Sequence, residues 1–128
     1  MNVVDSSGWI EYLTDTSNAE FFAPALEDLD QLVVPSLSVL EVFKWVLRKR
    51  GEGDALQAAA LMQRGHVVEL DVALSLAAAK LGLDHGLPMA DSVILATARA
   101  YEAVLWTQDA HFRRIDGVRY QPKQGSAG

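Results

Sequence analysis

Short apolar runs alternate with longer stretches in which apolar residues recur at helical spacing, and Pro, Gly, Asp and Ser punctuate the changes between them. The short runs are rich in Val and too brief for helices, so they predict strands over 2–4, 31–34, 66–70 and 104–106, with 117–120 as an edge strand. The longer stretches predict helices over 9–13, 19–29, from Ser36 or Ser38 to 50, over 53–64, 72–84 and 88–101, with a short helical turn over 110–115. The third of these is well punctuated, because Arg48-Lys49-Arg50 occupies its last turn and Gly51 follows. Asp71 is placed to cap the fifth. Pro88 sits where a helix begins, which brings Asp91 into a first helical turn.

Strands that alternate with helices require crossover connections and hence parallel pairing. The expected fold is therefore a three-layer α/β/α domain with a mainly parallel central sheet. At 128 residues the chain forms one domain, expected over 1–122, with 123–128 as a flexible tail. Hydrophobic content of 50% against 22% charged residues excludes a disordered chain. The absence of cysteine rules out a disulfide framework and thiolate metal sites and points to a reducing, cytoplasmic setting. No basic n-region, apolar h-region or membrane-length apolar run is present, so a soluble protein without a membrane role is expected.

Charge changes this picture more by its placement than by its sum of −6. Residues 1–43 hold eight acids and no Lys or Arg, whereas residues 44–128 hold nine acids and eleven bases. Such a chain does not bind nucleic acid by bulk charge. An enzyme whose acids hold cations is not excluded.

Four acids fall at element ends. Asp5 and Asp109 follow strands, Asp91 opens the helix before the fourth strand, and Glu41 lies in the first turns of the helix after the second. Each also has a purely structural reading. Asp91 and Asp109 suit helix N-termini, Ser38-x-x-Glu41 matches a capping box, and Asp5 suits the turn at Ser7 and Gly8. In a parallel sheet, however, all four converge on the carboxyl rim, where open α/β sheets bind ligands. Carboxylates about 4 Å apart repel by roughly 1 kcal/mol in water and several times more in a protein, so without a cation they raise their pKa values or splay apart. Oxygen donors without Cys select hard ions such as Mg²⁺ or Mn²⁺. Acids holding such an ion are suited to phosphodiester hydrolysis.

Val4-Asp5-Ser6-Ser7, Ser38-Val39-Leu40-Glu41-Val42, Ala90-Asp91-Ser92-Val93-Ile94-Leu95-Ala96 and Thr107-Gln108-Asp109-Ala110-His111-Phe112, in this order and spacing, resemble a PIN domain of the VapC toxin type. The resemblance spans residues 2 to about 120. It implies an endoribonuclease dependent on Mg²⁺ or Mn²⁺, the toxin of a toxin-antitoxin pair, with catalytic and metal-binding acids at Asp5, Glu41, Asp91 and Asp109. Ser6 and Thr107 match positions at which the family carries hydroxyl residues that orient acids or waters. Ser92 departs from the alanine more common there. The resemblance further implies an RNA substrate, a cognate antitoxin partner and a homodimer.

Glu41, Lys44 and Arg48 share one helical face, so Lys44 and Arg48 are candidate phosphate-binding cations beside an acid; an i,i+3 ion pair between Glu41 and Lys44 is the alternative. The tryptophans Trp9, Trp45 and Trp106 read as core or interface, and His66 and His85, at element boundaries, read as loop residues. His111 lies two residues after Asp109, a spacing at which side chains on one helix do not face each other, so it reads as a surface or capping residue. A receiver-like phosphoacceptor module needs a lysine after a late strand, and the chain has none there. A haloacid-dehalogenase-type phosphatase needs a second acid at the position held by Ser7. A non-catalytic binding module leaves the convergence of four acids unexplained.

Overall fold

A computed structural model describes residues 1–124. The expected tail begins at Lys123 and lies for the most part outside these residues. Among them the order is β1 (Asn2–Val4), α1 (Ser6–Thr14), α2 (Ala19–Glu27), β2 (Val33–Pro35), α3 (Ser36–Arg50), α4 (Glu52–Met62), β3 (His66–Val68), α5 (Val72–His85), α6 (Met89–Ala100), β4 (Val104–Thr107) and β5 (Val118–Tyr120), with 3-10 turns at Leu29–Gln31 and Ala110–Phe112. No helix of these residues is long and apolar enough to cross a membrane.

All strand pairings are parallel. Strands β1, β4 and β5 form one ladder and β2 and β3 another, and a parallel bridge between Asn2 and Leu32 joins them into the order β3-β2-β1-β4-β5. This is the doubly wound order that reverses between its first and fourth strands, and not the 2-1-3-4-5 order of receiver-like folds. Strands β1, β2 and β4 are buried on both faces, which is why they read as apolar runs and not as alternation, whereas the outer strands β3 and β5 are partly exposed. Neighbouring residues nevertheless serve opposite layers, as the two-residue side-chain period of a strand requires. Val4, Val34 and Trp106 pack with Trp9, Phe22, Val42 and Met62 of α1 to α4, whereas Val3, Val33 and Leu105 pack with Leu74, Ile94 and Leu95 of α5 and α6. Each large side chain fully buried here contributes about 1.5–3 kcal/mol.

Several boundaries differ from expectation for identifiable reasons. Helix α1 begins at Ser6, directly after the strand, and Gly8 is a helical residue, not part of a turn. A Cβ at Gly8 would lie 2.6 Å from the Phe22 ring and 2.8 Å from Val4 Cγ1, so the glycine lets α1 close onto β1 and α2. Helix α2 ends at Glu27 and gives way to the 3-10 turn Leu29–Gln31. Pro35 ends β2 and stands at the N-cap of α3, and no side-chain cap is formed there. The capping box, the structural alternative for Glu41, is therefore absent; Ser38 is fully buried inside the helix with its hydroxyl unpartnered. His66 begins β3 and His85 ends α5, so neither is a loop residue. The Asp71 cap is present, its side chain accepting from the Leu74 amide at 2.8 Å.

Candidate metal centre

Parallel register dictates the heart of the site. Val4 pairs with Trp106, and the Asp5 amide donates to the Trp106 carbonyl at 3.0 Å, so Asp5 and Thr107 leave the sheet side by side. The position lies between the two strands at which the sheet order reverses, the usual location of a ligand crevice. The Thr107 hydroxyl donates to Asp5 Oδ2 at 2.9 Å and accepts from the Asp109 amide at the same distance. Thr107 is completely buried and fixes the end of β4 against Asp5.

Asp91 stands in the first turn of α6, as expected from Pro88. Asp109 precedes the 3-10 turn Ala110–Phe112 in extended conformation, and its Oδ1 accepts from the His111 amide at 2.9 Å. This turn corrects the sequence reading of His111. The chain is not α-helical after Asp109, and the imidazole folds back so that Nδ1 lies 2.9 Å from Asp91 Oδ2 and 3.2 Å from Asp109 Oδ1. One donor atom each of Asp91, Asp109 and His111 falls within a 4.8 Å cluster. Asp5 and Glu41 do not belong to this cluster, but the charges of Asp91 and Asp109 act on Asp5 and that of Glu41 acts on Asp91. Glu41 Oε1 accepts from the Ser6 hydroxyl at 2.7 Å, and Glu41 forms no ion pair with Lys44 among the described residues.

Among the described residues the positive charge that faces these acids is that of His111 when protonated. Burial pushes the Asp5 carboxyl up from an ordinary 3.8 to about 7, with the charges of Asp91 and Asp109 adding to the rise and the Thr107 hydrogen bond opposing it. Asp91 is raised by its own burial and by Asp109 and Glu41, against the hydrogen bond of His111. His111 is raised in turn by that bond and by Asp109. Among the described residues no Lys or Arg lies within ion-pair distance of these acids. One buried carboxylate and two partly exposed ones that repel one another are a set of oxygen donors suited to a hard divalent ion.

On the outer face of α3, Lys44 and Arg48 line a groove of about 310 Å³ together with Glu41, Leu37, Leu40 and Trp45. The groove thus runs from one acid of the rim to two exposed cations. Trp9 and Trp106 are buried, the latter with its indole N–H on Asn2 Oδ1 at 2.9 Å, in keeping with a core role.

The PIN domain family model matches residues 3–118. No curated relative matches in sequence. In structure the chain is similar to a protein of a toxin-antitoxin complex from Klebsiella pneumoniae, with 19% identity, 93% of this chain and 96% of that one covered, and a TM-score of 0.79. It is similar also to Mycobacterium tuberculosis VapC20, a sarcin-ricin-loop-cleaving toxin, with 17% identity, coverages of 91% and 95%, and a TM-score of 0.75. A third similarity is to a chain of VapBC-1 from nontypeable Haemophilus influenzae, with 23% identity, coverages of 94% and 96%, and a TM-score of 0.67.

Proposed function

The chain belongs to the PIN domain family, and from that premise we propose that it is a metal-dependent endoribonuclease, the toxin of a toxin-antitoxin pair. The observation that carries this reading is the convergence of Asp5, Asp91 and Asp109 at the strand-order reversal with no Lys or Arg to neutralise them. Asp5, Glu41, Asp91 and Asp109 would hold Mg²⁺ or Mn²⁺. The chemistry such an ion supplies when bound is activation of a water and stabilisation of charge on the phosphodiester oxygens.

The chain's own residues supply position. Thr107 fixes the Asp5 carboxylate and the Asp109 backbone together, and Ser6 holds Glu41 from the first residue of α1. Lys44 and Arg48 would bind the phosphates of an RNA strand that follows the α3 groove towards Glu41. The toxin-antitoxin complexes among the structural relatives support an antitoxin as the protein partner, and we extend the reading to a cytoplasmic homodimer.

The test is cleavage of total RNA by the purified protein with Mg²⁺, with Mn²⁺ and with chelator, beside folded Asp5→Asn and Asp91→Asn variants. The expected result is cleavage that needs the ion and is lost in both variants. A protein free of copurifying partners that binds no divalent ion and cuts nothing would favour a non-catalytic binding module.

A further inference from the structure

His111 approaches the rim acids from outside, and its position is fixed from two directions. Its amide is held by Asp109 Oδ1 at 2.9 Å, and the next residue, Phe112, is completely buried beneath the 3-10 turn. Its side chain is itself 56% exposed. An exposed imidazole ordinarily has freedom to turn to water, yet here one ring nitrogen, Nδ1, faces two carboxylates at 2.9 and 3.2 Å. Around a six-coordinate ion with bonds of about 2.1 Å, adjacent donor atoms stand about 3.0 Å apart. Nδ1 is hydrogen-bonded to Asp91 Oδ2, and its spacing from that atom and from Asp109 Oδ1 is also that of adjacent donors on one ion.

We propose that His111 is a nitrogen ligand of the ion held by Asp91 and Asp109, and that it makes the centre prefer Mn²⁺ to Mg²⁺. This rests on the reading of the rim as a metal centre. Mg²⁺ favours oxygen donors and retains water, whereas Mn²⁺, the weakest imidazole binder of the first-row divalent ions, still accepts a nitrogen donor more readily than Mg²⁺ and binds carboxylates as well. His111 therefore adds selectivity to a set of acids that by themselves accept either ion.

The test is pulsed electron paramagnetic resonance of Mn²⁺ bound to the full chain and to H111A, with titration calorimetry of Mn²⁺ and Mg²⁺ on both proteins and on D91N. The expected result is nitrogen modulation of the Mn²⁺ signal that disappears in H111A. Mn²⁺ affinity should fall about tenfold in that variant, with a smaller change for Mg²⁺. If Mn²⁺ binds the native chain and is weakened in D91N but shows no nitrogen modulation, His111 only fills the gap between the acids, and the proposal falls while the metal centre stands. If the native chain binds no Mn²⁺, the metal-centre reading falls and takes this proposal with it.

Discussion

The Thr107 hydroxyl bridges two rim acids, donating to Asp5 Oδ2 and accepting from the Asp109 amide, each at 2.9 Å. Valine has nearly the same shape and neither hydrogen-bonding function. In Thr107→Val, the Asp5 carboxylate loses the hydrogen bond that opposes its upward shift, and the Asp109 amide loses its acceptor. Loss of such an orienting partner typically costs 10- to 100-fold in metal affinity or activity. The expected outcome is a loss of about that size in Mn²⁺ affinity by calorimetry, with the far-ultraviolet circular dichroism spectrum unchanged. Native affinity in the variant would mean that the hydroxyl serves only the end of β4.

Asp5 is expected to make the metal-free fold sensitive to pH. Burial raises its carboxyl from 3.8 to about 7, so between these values the folded state retains a proton that the unfolded chain has released. Stability from this group then falls as pH rises from about 4 to about 7, and the loss is complete above that window. Asp5→Asn removes the charge and keeps an oxygen for Thr107. In chelator at pH 8 the variant should melt several degrees above the native protein. The gap should close near pH 4, and thermal scans across that range check it. A difference independent of pH would show that the acid is not held in its neutral form by burial.

Two helical glycines are expected to respond to alanine with opposite signs. At Gly8 the new methyl meets Phe22 and Val4 below 3 Å, and relief of such overpacking costs about 1–3 kcal/mol. At Gly53, in α4, nothing lies within 4 Å, so alanine should stabilise by about 0.4–1 kcal/mol by restricting the unfolded chain. Urea midpoints should therefore fall for Gly8→Ala and rise for Gly53→Ala with unchanged slopes. A neutral Gly8→Ala would mean that α1 shifts freely on β1.

Residues whose position follows from their place in a strand or helix were legible in the sequence. Val4-Asp5 and Trp106-Thr107 read as strand ends, parallel pairing brings them together, and Asp91 follows Pro88 into α6. Contacts between distant segments were not. Nothing near Glu41 announces Ser6, 35 residues earlier, as its partner, and the local Ser38 signal pointed to a cap that the start of α3 at Ser36 precludes. His111 was misplaced because helical spacing was assumed after Asp109, whereas a three-residue 3-10 turn reverses the ring onto the acids. Gly8 read as a turn because its low helix propensity was visible and its contact with Phe22 was not.

Lys44 and Arg48 provide a test of where RNA lies. Both are exposed on the α3 groove that ends at Glu41, and Glu41 is engaged by Ser6 and not by Lys44. Lys44 is thus left to meet a phosphate, and Arg48, one turn further along the helix, can meet another. Each phosphate contact to a single strand contributes about −0.7 to the slope of log K against log salt. Binding of a catalytically inactive Asp91→Asn background to a single-stranded RNA, followed by anisotropy from low to high salt, is expected to weaken with Lys44→Ala and with Arg48→Ala. The slope should flatten by roughly 0.7 for each and by about twice that for the pair. Because the affinity lost is electrostatic, the three curves should converge towards the background at high salt. Unchanged slopes would place the RNA path on another face of the rim and leave these cations as a solvated end of α3.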